Sequence, residues 1–342
     1  MITNMLYSKR YSLINALKAV LASAIAYLLG RVLGDWLNIE QMYSWIVITV
    51  LVVMSSQPNI GGALEKAKMR FLGTVIGSGC SIIVILIFPT QWIAQMVLGL
   101  CLIAIGVFTA TNSSKYTYAG VLGAVTVAII LFGSSVNLET ACYRTLEVLI
   151  GIIIAIIVNR YFFPIHAHKR IYQSFTDTIN CIHKLNQRLF AGGDYGDILV
   201  EIFGHFSRQI VLHKEIMHES KHIDIDTLKA TTRHLRQFYR YTCVIYDYVE
   251  AYPQKRQKFA ENPAFVSMYN KINEVSMKLS VNLKSQTFDH AEYVADFGQL
   301  NDFLKEFSQS MNIQSDLRHA SLLMFSFKKL IDTLQLIEAA QR

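Results

Sequence analysis

A chain of 342 residues, 52% hydrophobic and with a formal net charge of +7, is long enough for about two domains. Residues 1–164 carry 10 Lys+Arg against 5 Asp+Glu, and residues 165–342 carry 22 against 20; the excess splits into +5 and +2 and leaves no basic module to track nucleic-acid phosphates. The five cysteines, Cys80, Cys101, Cys142, Cys181 and Cys243, form no CxxC pair and argue against a disulfide framework.

In chain order, Lys9 and Arg10 precede an apolar run that reaches Leu29 and closes on Gly30-Arg31. A signal peptide would close on a small-residue cleavage site, so this run reads as a first membrane span over 12–33. Further apolar stretches follow at 43–57, 71–88, 92–110, 117–133 and 142–163. A spanning helix needs roughly 20 apolar residues to cross a hydrocarbon core about 30 Å thick. One Asp, Lys or Arg at its centre costs about 2.5–3.5 kcal/mol. Residues 1–164 therefore read as a six-span membrane domain. Residues 165–342, which hold all ten histidines, are too rich in charge to be one.

The short loops set an orientation. Lys9, Arg10, Lys66, Lys68, Arg70, Lys115, Lys169 and Arg170 fall on one side, Arg31 and Arg144 on the other. Basic loops face the cytoplasm, so the N-terminus is placed there, and after six spans so is the second domain.

The second span ends at Gln57-Pro58-Asn59. Proline donates no backbone hydrogen bond and turns its predecessor away from the helical region. Backbone groups from Ser55 to Gly61 are thus left without helical partners, either in a plain loop or lining a pathway, since broken backbone at membrane depth needs a cavity or protein around it. An internal repeat is also visible. Arg70 is followed by Gly77 and, after the span, by Phe88-Pro89; Arg144 is followed by Gly151 and then Phe163-Pro164. Three spans per unit is an odd number, so the second unit is inverted, the common build of secondary transporters. The small residues Gly73, Gly77, Gly79, Gly120 and Gly123 read as sites of close helix approach.

These residues also carry a family resemblance. The run Ser55-Ser-Gln-Pro-Asn-Ile-Gly-Gly-Ala-Leu-Glu-Lys-Ala-Lys-Met-Arg-Phe-Leu-Gly-Thr-Val-Ile-Gly77 resembles the fusaric acid resistance-like proteins of the aromatic acid exporter superfamily. So do Tyr118-Ala-Gly-Val-Leu-Gly-Ala-Val-Thr126 and the Arg144, Glu147, Gly151 series. The resemblance covers residues 10–165. It implies efflux of aromatic or other organic acids across the bacterial inner membrane, with plant malate channels as distant relatives. Many members carry two such membrane blocks; the single block here implies that two chains assemble.

A carboxylate that crosses a bilayer needs compensating charge, and ionisable residues inside spans are functional candidates by default. The set here is Lys18, Arg70, Arg144 and Glu147, with Gln57 at the helix break. Arg70 and Arg144 occupy equivalent repeat positions at opposite membrane ends, where two guanidiniums would form an entrance and an exit for an anion. Arg144 and Glu147, three apart, read either as a buried pair or as a site whose Arg is freed when Glu147 takes a proton. Arg31 and Arg160, at span edges, read as snorkelling to headgroups.

Beyond His166 the pattern is helical. Leu323, Met324, Phe327, Leu330, Ile331, Leu334 and Ile337 make one apolar stripe, and Leu228, Leu235, Phe238, Thr242, Ile245 and Val249 another. Asn262-Pro263 reads as a helix start and Gly192-Gly193 as a helix end. Six helices are expected over 165–191, 196–222, 226–252, 263–286, 288–312 and 315–341, with Arg233, Arg236 and Arg240 on a solvated face. His218-Glu219-Ser220-Lys221-His222 matches the H-E-x-x-H pattern of zinc peptidases. Lys221 inside it, the end of the helix at Ile-Asp-Ile-Asp directly after it, and the lack of a third ligand beyond guesses at His213 or Glu250 argue for a solvated face.

The sequence thus describes an all-α protein: a six-span transmembrane domain built as an inverted 3+3 repeat, then a cytoplasmic helical bundle. It reads as a multi-pass inner-membrane exporter of organic anions, aromatic carboxylic acids first, rather than an enzyme. Its partners are the anion, membrane lipid and a second copy of the chain, with no cofactor, no metal and no nucleic acid; a periplasmic partner stays open. The alternative is a membrane-anchored scaffold whose bundle binds another protein.

Overall fold

The structure, a computed structural model, describes residues 2–37, 39, 42–54, 59–133, 136–191, 195–219, 223–310 and 317–341. Among them are thirteen α-helices and no strand. The chain divides into two compact units. The first is Met1–Ala167 with His218–Ser220, the second His168–Met217 with Lys221–Arg342.

The first unit holds α1 (Ile2–Leu37), α2 (Met42–Met54), α3 (Ile60–Ile87), α4 (Trp92–Asn112), α5 (Thr117–Leu131) and α6 (Leu138–Tyr161). The helices α1, α3, α4 and α6 are long and apolar enough to cross a membrane. At 13 and 15 residues, α2 and α5 are shorter than the roughly 20 residues that a straight crossing takes. The α1 helix also starts well before the apolar run at residue 12, because Lys9 and Arg10 do not interrupt a helix that continues into apolar sequence. Proline closes two of the helices: α3 ends one residue before Phe88-Pro89, and the chain leaves α6 through Phe163, whose φ is 46°, into Pro164. Asn137 opens α6, its side chain accepting a hydrogen bond from Thr140 N at 2.7 Å.

The packing of this unit repeats itself. The α2 helix packs on α1 and α6, α5 packs on α4 and α3, and α3 crosses α6. A Cβ added to Gly77 on α3 would lie 2.7 Å from the Gly123 carbonyl oxygen and 3.0 Å from Thr126 Cβ, both on α5. One added to Gly151 on α6 would lie 2.9 Å from the Ile46 carbonyl oxygen and 2.7 Å from Thr49 Cβ, both on α2. The two glycines singled out by the repeat therefore make the same contact, a carbonyl and the threonine three residues on. By contrast, Gly79 has nothing within 4 Å of the added Cβ; it faces open space and is not a close-approach site. The lipid-length helices carry their large apolar side chains outward, Leu17, Val20, Ile83, Ile105 and Phe108 among them, as suits a hydrocarbon solvent.

The second unit is built from α7 (Ala167–Ala191), α8 (Gly196–Glu219), α9 (Ile225–Ala251), α10 (Pro253–Glu261), α11 (Pro263–Ser285), α12 (His290–Ser310) and α13 (Leu317–Ala339), apart from the terminal pieces of α7 and α8 that group with the first. The two apolar stripes meet as α9 packs on α13. Phe259, Phe265, Phe307 and Phe327 pack mostly edge to face at ring separations of 5.1–6.1 Å in the core, with Phe259 and Phe265 stacked. Asn262 caps α11, accepting from Ala264 N at 3.0 Å and Phe265 N at 3.2 Å. The short helix α10 was not expected: its nine residues are polar and carry no apolar period, yet Pro253 starts it and Phe259 anchors it. Gly192 and Gly193 lie outside the described residues. Arg233, Arg236 and Arg240 are exposed, as the sequence led one to expect.

Candidate functional site

Two cations of the first unit, Lys18 and Arg70, are buried with no carboxylate partner among the described residues. Lys18, on α1, is 1% exposed, and its Nζ donates to Asn159 Oδ1 on α6 at 2.9 Å. Asn159 Nδ2 in turn donates to the Asn59 carbonyl at 3.4 Å, and Asn15 Nδ2 to the Met54 carbonyl at 3.2 Å. These carbonyls flank the stretch between α2 and α3: that of Met54 ends α2, and that of Asn59 opens α3 and also accepts from Ala63 N at 3.1 Å, so amides on α1 and α6 tie down both edges of the helix break. Gln57 and Pro58 lie outside the described residues.

Arg70, on α3, is 4% exposed, and its Nε is buried with no hydrogen-bond partner. Among the described residues no carboxylate lies within ion-pair distance of it. The Tyr118 hydroxyl on α5 lies within electrostatic reach of it and itself donates to the Val52 carbonyl at 3.1 Å. Lys66 Nζ sits 5.4 Å from the centre of the Tyr118 ring, so Tyr118 is flanked by two cations from α3. Asn15 Oδ1, Ser23 Oγ, Thr49 Oγ1 and Thr74 Oγ1 are further buried acceptors without a partner. In a hydrocarbon environment each such group costs several kcal/mol, a cost that falls when a polar solute or water passes.

The second arginine of the repeat is placed differently. Arg144 Nη1 donates to Glu147 Oε2 at 2.8 Å, with Glu147 1% exposed. The guanidinium also lies over Trp45 on α2, 4.3 Å from the ring centre. Of the two sequence readings, the structure shows the pair closed. The repeat position equivalent to Glu147 is Gly73, so Arg70 is denied the same partner by sequence.

A cavity of about 400 Å³ opens among α3, α4 and α5, lined by Gly73, Gly77, Ile105, Gly106, Gly120 and Val127 among others. Its walls are almost wholly apolar, and its size lies in the range that takes an organic molecule. Gly73 stands one turn beyond Arg70 on the same helix.

The H-E-x-x-H segment has other work. Glu219 Oε1 lies 2.6 Å from His166 Nδ1, and Glu219 Oε2 accepts from Ala167 N at 2.7 Å. The carboxylate thereby satisfies an orphan amide at the start of α7 and is not poised as a general base. His222 lies outside the described residues. Asn159, Asn59, Tyr118 and Trp45 were not foreseen as site residues. An amide inside an apolar span was the signal for Asn159, and Tyr118 stands within the fifth-span motif; nothing local marked Trp45.

A family model described as the fusaric acid resistance protein family matches residues 12–337. The multidrug resistance protein MdtO of Escherichia coli (strain K12) is 23% identical over 238 residues, which cover 64% of this chain and 34% of that protein. The protein of the same name in Escherichia coli O157:H7 is 25% identical over 179 residues, 50% of this chain and 25% of that one. In Shigella flexneri it is 22% identical over 238 residues, again 64% and 34%. The chain spans about a third of the length of these curated relatives. The family match runs well past residue 165, where the recognisable sequence motifs stop.

Proposed function

The chain belongs to the fusaric acid resistance protein family, and from that premise we propose that it is a secondary transporter or channel-like exporter of organic anions, with aromatic carboxylic acids as the first substrate class. Its family and its apolar helices make it a multi-pass membrane protein. The bacterial inner membrane, with both termini in the cytoplasm, is the placement that its loop charges support.

The observation that carries this reading is Arg70. A guanidinium taken out of water without a carboxylate is costly, and one with an unused donor is a preformed half of an anion site. Lys18 supplies a second buried cation, held among the described residues by the Asn159 amide. The apolar cavity beside the same helix suits a ring, which favours an aromatic acid over a small inorganic anion. In this reading the closed Arg144–Glu147 pair is the coupling element: a proton on Glu147 releases Arg144 for the anion. The matched contacts of Gly77 and Gly151 support an inverted 3+3 arrangement in which the short helices α2 and α5 thin the bilayer locally to complete six crossings. Residues 165–342 act, in this reading, as the cytoplasmic oligomerisation and gating element of a homodimer.

The test is flux of labelled aromatic acids in proteoliposomes that contain the folded protein, against protein-free vesicles. Uptake or release that saturates and depends on an imposed proton or charge gradient is the expected result. Absence of flux across a broad panel of organic acids would overturn the proposal and leave the membrane-anchored scaffold as the better account.

A further inference from the structure

We propose a transition-metal site in the second unit, formed by Cys181 on α7 with Glu201 and His205 on α8, which staples these two helices together. The thiol, carboxylate and imidazole ligand atoms all lie within 4.8 Å of one another. Cys181 is 1% and His205 7% exposed. Both ring nitrogens of His205 are buried without a hydrogen-bond partner, and its Nε2 stands 4.0 Å from Glu201 Oε1, beyond hydrogen-bond range. A buried imidazole left wholly unbonded calls for an explanation, and a bound ion is one that native structures supply. The Cys181 thiol already donates to the Glu201 carboxylate, so two of the three ligands are oriented toward each other.

The ligand chemistry selects the ion. Thiolate and imidazole suit zinc and its neighbours rather than magnesium or calcium. Zinc sits about 2.0–2.3 Å from such ligands, so binding draws the three atoms inward by about an ångström or less, within reach of the part-exposed Glu201 side chain. Glu201 and His205 are four apart on α8, and Asp177 and Cys181 are four apart on α7. Asp177 lies within electrostatic reach of both Cys181 and His205, and it or solvent takes the fourth position. Lys184 and Arg208 are also near; both are exposed and solvent-screened. On loading, the Cys181 S–H bond breaks, a sulfur–metal bond forms, and the proton goes to solvent. Burial of the ligands makes the site structural, not catalytic.

The full chain, purified in mild detergent and stripped with a chelator, should be titrated with Co²⁺ and then with Zn²⁺. The expected result is one Co²⁺ per chain, a thiolate-to-cobalt charge-transfer band that Zn²⁺ abolishes, and a higher melting temperature with metal. Cys181→Ser should remove the band, and Glu201→Gln, at a part-exposed position that tolerates exchange, should weaken binding at least tenfold. A wild-type chain with no such band would overturn the proposal, as would a band that survives Cys181→Ser. Should Cys181→Ser fail to fold, Glu201→Gln decides: unchanged affinity in that variant would assign the metal to other cysteines or histidines.

Discussion

The two units treat a cation turned into the fold in opposite ways. In the second, Lys271 and Lys278 on α11 converge on one carboxylate, Asp296 of α12, at 2.8 and 2.7 Å, with Glu292 and Glu274 beside them. Burial alone would raise the Asp296 carboxyl, but hydrogen bonds from the two lysines outweigh it and hold the carboxyl below its ordinary value. In the first, Lys18 has an amide and Arg70 a tyrosine hydroxyl where a carboxylate would be expected. A charge neutralised within the fold serves the fold. One left unmatched, and more deeply buried, keeps its attraction for something that arrives from outside; on the proposed function, this contrast would separate transport machinery from its support.

The sharpest way to break the contrast is Arg70→Gln. Loss of a charge-assisted bond of about 1.5–3 kcal/mol should lower flux per folded molecule roughly ten- to a hundredfold, with Arg70→Lys restoring only part because the planar fork is gone. Unchanged flux in Arg70→Gln would make the residue a membrane-edge anchor. Next, Arg144→Gln strands the buried Glu147 carboxylate and should reduce both folded yield and flux. Adding Glu147→Gln should recover the yield alone; recovery of flux as well would reduce the pair to scaffolding.

On the other side of the contrast, Asp296→Asn should cost about 1.5–3 kcal/mol of stability in the second unit, read by thermal melting. Flux per folded molecule should hold. Because the folded carboxyl value is depressed, its contribution is complete above the unfolded value of about 3.9 and is lost as pH falls through the lower folded one. The wild type should therefore lose stability more steeply than Asp296→Asn in that acid window. The smallest effects belong to the glycines. Gly77→Ala and Gly151→Ala should each destabilise by about 1–3 kcal/mol from overpacking, and by similar amounts if the two contacts are equivalent. Gly79→Ala, in open space, should gain up to about 1 kcal/mol of helix propensity; a loss there as large as at Gly77 would mean that another surface packs on it.

What the sequence made legible was whatever is periodic or locally encoded. The apolar runs located α4, α5 and α6 to within a few residues, and Asn262-Pro263 marked the start of α11; α3 begins at Ile60, well before the apolar run at 71, because its first turns carry Glu65, Lys66 and Lys68 without a helix breaker. Arg70 and Arg144 stood out because charge in an apolar run is conspicuous. The partners were not legible, since Asn159 lies 141 residues from Lys18 and Thr49 about a hundred from Gly151. Nothing in one-dimensional spacing says that α2 will dock on α6. The choice of Gly79 failed for a related reason: it shares the small-residue texture of Gly73 and Gly77, but stands two residues from Gly77 and so turns to another face of α3. The Cys181 cluster was passed over for His218-Glu219, because a contiguous motif catches the eye and two i, i+4 pairs on different helices do not.

The docking of α3 on α5 and of α6 on α2 has a consequence for how the first unit comes into being. Each group of three consecutive helices hands its last member to the other group, so neither is a folded object by itself. A chain halted after Pro89 during synthesis would hold α3 with its glycine face against lipid, and that face meets a carbonyl partner only when α5 has been inserted. Assembly of this unit is therefore post-insertional at its centre: α1 meets α2 and α4 meets α5 within each triplet, but α3 and α6 reach their partners only when the two triplets close on each other.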